Sequence, residues 1–361
     1  MQNIQVIESG TYSVFIGDTS LKSFENYISK NSYSTAYILV DENTAHHCLD
    51  FFLASNSNSA VISSAPIIKI QPGESNKNIH TVTEIAKELS AHNADRNSLL
   101  INLGGGVLCD IGGFAASIYK RGIDFINLPT TLLSQVDASI GGKVGVDLEG
   151  MKNFIGVFNN PKAVFILPRF LITLNKRQIN SGYAEILKHG LIADRAYWNK
   201  IKTSNVAGNL NDLIFRSVEI KNTIVTKDPW EQNIRKTLNF GHTIGHALET
   251  FYMNKSVQLL HGEAVGIGMI CEAFISVENA GLNREVLQEI TDCIIAVFGK
   301  YKLDGLEMDG LIELMKKDKK NNGDKINFTL LDDIGRATID RYASSDLIMA
   351  SINYYREISQ E

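Results

Sequence analysis

The sequence predicts an α/β protein. Residues 1–172 form an N-terminal domain built on a parallel sheet, and residues 173–361 form a second, mostly helical domain. Three observations predict this. Short apolar runs alternate with helix-like segments through the first half, the pattern of strands joined by crossover helices. One of those runs ends in a glycine cluster at 104–106. From about residue 173 the long segments carry helical spacing instead.

The runs are read in order. "YSVFIG" (12–17) is a short apolar run, and "TAYILVDENT" (35–44) is a strand that stops at an acidic turn. "SLLINLGGGV" (98–107) is a buried strand running into glycines. "FINLPTTLL" (125–133) is a strand followed by a proline and a threonine pair suited to capping a helix. The helical segments are "NSGYAEILKHGLIADRAYW", "NDLIFRSVEIKNTIVTKD", "HGEAVGIGMICEAFISVENA" and "NREVLQEITDCIIAVFGKY". Near the end, "KINFTLLDDIGRATI" reads as a two-stranded ribbon around a turn. No internal repeat or low-complexity segment is visible.

Composition narrows the class. Apolar content is 44% and charged content 21%, ordinary for a soluble globular chain. A formal net charge of −5 argues against a nucleic-acid partner while leaving room for local basic clusters that bind a small anion. No apolar run has membrane-span length, and "MQNIQVIESG" lacks the basic-then-apolar layout of a secretory signal. The four cysteines, Cys48, Cys109, Cys271 and Cys293, show no CxxC spacing and read as reduced, cytoplasmic core thiols.

"NLGGGVLCDIGGF" (102–114) follows a strand and opens a helix, which points to a Rossmann-like nucleotide site, with a bare tight turn as the plainer alternative: glycines let the backbone approach a phosphate, and the helix N-terminus favours negative charge. The match to GxGxxG is incomplete. Gly104 and Gly106 fit, but Cys109 stands where the third glycine belongs. Asp41 ends an earlier strand, where a carboxylate can accept from a ribose hydroxyl; the plainer reading of Asp41 is a helix cap. The loop "PGESNKN" (72–78) is a further acidic and basic segment able to serve a cofactor.

"LNFGHTIGHALE" (238–249) sets His242 and His246 one helical turn apart. A zinc-protease motif needs glutamate directly after the first histidine, and here that position is Thr243. His261 precedes another helix, and Glu185 sits in an apolar helical stretch where a bare carboxylate needs a partner. Any one of these histidines alone reads more simply as a hydrogen-bonded core residue. Together, Glu185, His242 and His261 form a candidate metal set, since catalytic zinc often takes three such ligands and keeps one position open.

The glycine-rich loop at 132–156 carries Asp137, Lys143, Lys152 and Asn153. With Lys188, Lys221, Arg235 and the run "KKDKKNNGDK" (316–325), several cations and a metal point to a small polyanionic substrate bearing phosphate and carboxylate. On its own the lysine run reads as a solvated surface patch.

These motifs resemble the 3-dehydroquinate synthase family of sugar phosphate cyclases. The matching stretches are "GGGVLCDIGGFAASIYKRG", "LPTTLLSQVDASIGGKVGVD", "KNFIG", "YAEILKHG", "LNFGHTIGHALE" and "HGEAVGIGM", in the family's order and spread over nearly the whole chain. The resemblance implies a dehydroquinate synthase-like fold, NAD, one divalent metal (zinc, with cobalt as an alternative) and a homodimer. It implies a carbon–oxygen lyase that converts 3-deoxy-D-arabino-heptulosonate 7-phosphate to 3-dehydroquinate and phosphate. The route runs through transient oxidation at C5, phosphate elimination, re-reduction, ring opening and aldol cyclisation, in the shikimate route to aromatic amino acids. Oxidation at C5 makes the C6 proton acidic, and the substrate's own phosphate is able to take that proton.

By the same resemblance Glu185, His242 and His261 are the metal ligands, and His246 faces the substrate for hydrogen bonding and proton transfer. Asp137, Lys143, Lys152, Asn153, Lys188, Lys221, Glu231, Arg235 and Asn239 match active-site positions. Arg235 and Lys221 match carboxylate binders; Lys143, Asn239 and Lys319 match phosphate binders, with Lys320 as an alternative to Lys319. Arg121 matches a position that reaches in from a neighbouring subunit. Asp41, Asn43, Glu74, Lys77, Gly105, Gly106, Val107, Asp110, Thr130, Thr131 and Thr173, together with Asp137, Lys143 and Lys152, match cofactor positions.

The chain departs from the family pattern at Met151, at Asn233 and Ile234 before Arg235, and at "FNNP" (158–161). These bear on loop shape more than on chemistry. The competing readings are another sugar phosphate cyclase, a metal-dependent alcohol dehydrogenase of the glycerol type, and a catalytically dead binding protein. The lysine-rich set weighs against the dehydrogenase. The Lys221 and Arg235 pair favours a carboxylated substrate over a plain sugar phosphate. The intact metal trio and Asp137 weigh against a dead protein.

Overall fold

The computed structural model describes residues 4–149, 151–203, 210–253, 255, 258–316 and 325–360. The chain clusters into two compact units, Met1–Asn175 with Asn209–Thr226, and Lys176–Gly208 with Lys227–Glu361. Residues Asn209–Thr226, on the C-terminal side of the boundary expected at 172/173, therefore group with the first unit.

The first unit is built on strands β1 (Gln5–Glu8), β2 (Ser13–Ile16), β3 (Ala36–Asp41), β4 (Ile67–Ile70), β5 (Leu99–Gly104), β6 (Asp124–Pro129), β7 (Lys143–Leu148), β8 (Met151–Phe158) and β9 (Ala163–Ile166). Seven of them form one sheet in the order β1-β2-β9-β6-β5-β3-β4. Every pairing is parallel except β1 with β2 at the edge. The central strands β3, β5, β6 and β9 are buried on both faces, so they read as near-continuous apolar runs, whereas the outer strands β1, β2 and β4 alternate. Ile38, Val40, Ile101, Leu103, Ile126 and Leu128 pack on one face, Tyr37, Leu39, Leu100 and Phe125 on the other. On that second face Asn102 donates to Asn127 at 2.9 Å. A Cβ on Gly112 would come within 1.9 Å of Asn102 Oδ1, so the helix Gly106–Ile118 lies against the sheet only because Gly112 is bare.

The stretch expected as a loop at 132–156 is mostly ordered. A helical turn, Ser134–Ala138, leads into the antiparallel ribbon β7–β8. The pattern hid this because Gly145 and Gly156 face each other across the ribbon, where a Cβ on Gly145 would stand 2.5 Å from the Ile155 carbonyl.

The second unit is helical, with one ribbon of β10 (Asn327–Asp333) and β11 (Arg336–Tyr342) where the sequence predicts it. The expected helix over 180–198 is two, Lys176–Ala193 and Arg195–Ile201, because Asp194 stops the first and caps the second through the Tyr197 N–H at 2.9 Å. His242–Tyr252 and His261–Asn279 are the helices that matter most below.

Candidate active site and metal centre

In an open parallel sheet, ligands bind beyond the carboxyl ends of the strands. Most of the expected cofactor residues of the first unit lie at those ends, while Asp137 is in the turn Ser134–Ala138 and Lys143 and Lys152 are on the β7–β8 ribbon. Asp41 ends β3, with Asn43 in the short helix after it. Glu74 and Lys77 follow β4, Gly105 to Asp110 follow β5, Thr130 and Thr131 follow β6, and Thr173 closes the turn Pro168–Thr173 after β9. Gly105 is the N-cap of the helix Gly106–Ile118 and makes no side-chain cap bond, so the first amides, Val107 among them, are not capped from within. The glycines supply room rather than a left-handed turn: Gly105 has an ordinary φ of −74°, while a Cβ on Gly106 would stand 3.2 Å from Ala138 Cβ. Asp41 is a helix cap, its Oδ1 accepting from the Thr44 N–H at 2.7 Å and the Thr44 hydroxyl at 3.0 Å.

A charged network ties this edge to the ribbon. Lys77 pairs with Asp110 at 2.6 Å and donates to Asn153 Oδ1. Lys152 pairs with Glu74 at 3.1 Å, and the Asn153 N–H donates to Asp147 at 2.7 Å. Burial alone would lower the pKa of Lys77, but Asp110, Glu74 and Asp147 outweigh it and hold the ammonium above its ordinary value. Burial pushes the Asp110 carboxyl up. Lys221, on the helix Leu210–Lys227, grips Asp137 twice, at 2.6 Å to its carboxylate and 2.6 Å to its carbonyl. Lys143 opens β7 on an exposed face, and Arg121 is exposed in a turn with φ +72°. Asn153, at φ +50°, also holds a left-handed conformation that costs energy for a residue with a side chain.

In the second unit, helix Lys176–Ala193 brings in Glu185, fully buried, with Lys188 beside it. His242 is the first residue of its helix and His261 the first of the next. The Nε2 atoms of both stand 3.5 Å from Glu185 Oε1. Donor atoms held tetrahedrally by zinc at about 2.0–2.2 Å stand roughly 3.3–3.6 Å apart, so this spacing fits a metal better than it fits direct hydrogen bonds. The far sides of both rings are engaged: His242 Nδ1 with the Phe240 carbonyl at 3.1 Å, His261 Nδ1 with Glu249 at 3.2 Å. That leaves Nε2 of each ring facing the carboxylate, as metal-binding histidines are commonly oriented. Burial raises the Glu185 pKa, but Lys188, His242 and His261 outweigh it and hold the carboxyl well below its usual range. Burial works against charge on His261, yet Glu249 and Glu185 carry its pKa up to about 10, a surrounding that favours a cation at this point. His246 is close as well: one ring nitrogen from each of His242, His246 and His261 fits within 4.8 Å. Both imidazole Nε2 atoms converge on Glu185 Oε1, while Lys188 pairs with its Oε2.

Glycines make this convergence possible. A Cβ on Gly262 would stand 2.0 Å from the Ser181 carbonyl, and one on Gly245 3.0 Å from Val265 Cα. The three helices bearing Glu185, His242 and His261 thus touch backbone to backbone.

Arg235 is buried, with Nη1 donating to the Pro229 carbonyl at 2.7 Å. Asp228 shapes this loop by accepting N–H bonds from Gln232, Asn233 and Arg235 at 3.0, 2.7 and 3.0 Å. Asn239 donates to Glu231 at 3.0 Å, and Glu231 has φ +58°. Lys319 and Lys320 lie outside the described residues. Sequence reasoning missed Asp228, Glu249 and Glu272. Glu249 and Glu272 carried the same signal as Glu185, a carboxylate inside an apolar helical stretch.

A parallel sheet with glycines at the carboxyl end of β5, joined in sequence to a helical unit holding a carboxylate–imidazole cluster, defines a class: the fold of the metal-dependent alcohol dehydrogenases and sugar phosphate cyclases. A probable glycerol dehydrogenase from Sinorhizobium meliloti superposes with a TM-score of 0.61 at 15% identity, covering 96% of this chain and 97% of that one. A 2-epi-5-epi-valiolone synthase from Streptomyces hygroscopicus subsp. jinggangensis, solved with NAD+ and Zn2+ bound, superposes with a TM-score of 0.83 at 24% identity over 99% of this chain and 100% of that one. Within the class, residues 67–181 match the N-terminal and 182–321 the C-terminal model of 3-dehydroquinate synthase. A 3-dehydroquinate synthase from Parabacteroides distasonis is 41% identical over 342 residues, 93% of this chain and 96% of that one. The chain belongs to the 3-dehydroquinate synthase family, and it is an enzyme.

Proposed function

We propose that this enzyme converts 3-deoxy-D-arabino-heptulosonate 7-phosphate to 3-dehydroquinate and phosphate, using NAD in the first unit and one divalent metal in the second. The observation that carries the reading is the placement of both imidazole Nε2 atoms 3.5 Å from one buried carboxylate oxygen. When bound, the metal polarises hydroxyl and carbonyl oxygens and NAD accepts and returns a hydride. Glu185, His242 and His261 hold the metal, zinc or cobalt. The amides after Gly105 and the residues from Asp41 to Thr173 named above hold the dinucleotide.

The remaining groups bind and orient. Arg235 offers a planar fork to the substrate carboxylate, with Lys221 as a second cation whose position Asp137 fixes. Lys143 and Asn239, with Lys319 or Lys320, take the phosphate and stabilise its departure. His246 stands beside the ligand histidines, ring centroids 5.0 Å from His242, where it can pass a proton to or from the substrate. Lys152, Asn153, Lys188 and Glu231 complete the polar lining.

The enzyme works in the cytoplasm as a homodimer, with Arg121 serving the neighbouring subunit's site. In support, Ile118, Phe154, Val157 and Phe158 are exposed, the last three along one edge strand of the ribbon. No described helix is long and apolar enough to cross a membrane.

The test mixes the purified protein with NAD, zinc and the seven-carbon substrate and follows released phosphate and NADH absorbance together. Phosphate release without lasting NADH is expected. Lasting NADH would indicate a dehydrogenase, and no signal in either channel would reject this substrate.

A further inference from the structure

Helix His242–Tyr252 starts without a cap of its own. Gly241, its N-cap, adopts φ +79°, and a side chain there is excluded: a Cβ would lie 2.4 Å from Met269 Cγ and 3.0 Å from the Met269 amide and the Val265 carbonyl. The usual Ser, Thr, Asp or Asn cap therefore has no room, and the first amides need an acceptor from elsewhere. Glu272 supplies it. This glutamate is fully buried on the neighbouring helix, where its Oε2 accepts from the Gly241 N–H at 2.6 Å and its Oε1 from the Ile244 N–H at 3.2 Å. The two amides it grips lie on either side of His242.

Glu272 also belongs to the helix that begins with His261, about three turns further along. One helix therefore presents one candidate ligand at its start and, from its middle, holds the start of the helix that presents the other. A buried carboxylate is costly unless it is fully bonded, and here two amides and the positive end of a helix surround it. A helix that needed no more than termination could do with a neutral cap. An anion spanning Gly241 and Ile244 sets the register of one ligand helix on the other.

We infer that Glu272 is a positioning residue of the metal centre: by capping the His242 helix from the His261 helix, it sets the distance between the two imidazoles and so the affinity and geometry of the bound ion. The inference rests on the metal reading above.

The experiment measures equilibrium zinc affinity by chelator competition, and the visible spectrum of the cobalt-substituted protein, for the wild type, Glu272→Gln and Ser276→Ala. Glu272→Gln keeps the shape and loses one acceptor. Ser276→Ala is a stability control, since this buried serine bonds the Glu272 carbonyl and the Leu331 amide without reaching the His242 helix. Expected is a zinc affinity about 10–100-fold weaker in Glu272→Gln, with an altered cobalt spectrum and NAD binding unchanged, while Ser276→Ala melts earlier but binds zinc as the wild type does. Wild-type affinity and spectrum in Glu272→Gln would overturn the inference and leave the metal site standing. So would an equal loss in Ser276→Ala, because the effect would then be general softening. A wild type that binds no zinc or cobalt would overturn both.

Discussion

A Cβ on Gly268 would come within 2.0 Å of the Gly241 carbonyl oxygen. The helix carrying His261 and the loop delivering His242 are therefore in direct backbone contact at this point. Gly268→Ala forces the two ligand-bearing segments apart, because no side chain lies between them to give way. The expected cost is about 1–3 kcal/mol or more of stability, as for other overpacked cores, with a parallel loss of bound zinc. Thermal melts with and without metal check it. A variant with wild-type stability and full zinc would show that the contact is not constraining.

The metal and the dinucleotide are assigned to different units, so they should be separable by mutation. His242→Ala and Glu185→Ala should lose most bound zinc by metal analysis while still binding NAD. Gly106→Val should weaken NAD binding at least about tenfold, since its side chain crowds Ala138 at the helix N-terminus, and should retain zinc. Full metal in His242→Ala would remove His242 from the ligand set.

Asp228 should matter through Arg235. Burial raises the Asp228 pKa, but the amides of Asn233, Gln232 and Arg235 and the Arg235 charge outweigh it, so the carboxyl sits below its usual value. A depressed folded-state pKa contributes stability that is present above the unfolded value of about 3.9 and is lost as pH falls through the folded one. Asp228→Ala should cost about 1–3 kcal/mol at neutral pH and raise KM more than it lowers kcat. The stability gap to wild type should narrow below about pH 4. A gap that stays constant into acid would show that the carboxylate charge is not what holds the loop.

Subunit exchange tests Arg121. Arg121→Ala and Lys188→Ala should each be nearly inactive. If Arg121 serves the partner's site, mixed dimers carry one site free of both changes, and a fully exchanged equal mixture recovers about a quarter of wild-type activity. Phe154→Asp with Phe158→Asp should shift the sedimentation coefficient towards monomer. Recovery absent from a mixture shown to contain mixed dimers would place Arg121 in its own subunit's site.

Much of this protein was legible in its residues. The strands ending at Asp41, Gly104 and Pro129, the helix shared by His242 and His246, the helix that follows at His261, and Glu185 as a buried carboxylate all follow from local pattern, because periodicity and burial leave their mark within a few residues of chain. The ribbon Lys143–Phe158 escaped because its paired glycines erase the alternation that marks a strand. The grouping of helix Leu210–Lys227 with the sheet, and so the contact of Lys221 with Asp137, is a long-range packing outcome with no local signature. The same holds for the partners of the imidazoles. The sequence by itself determined which residue types were available near His242 and His261. Tertiary structure decided that Glu249 meets one ring and that Glu272 caps the helix of the other. Those distances are set by how closely bare glycine backbones let three helices approach, a property of the assembled core and not of any one segment.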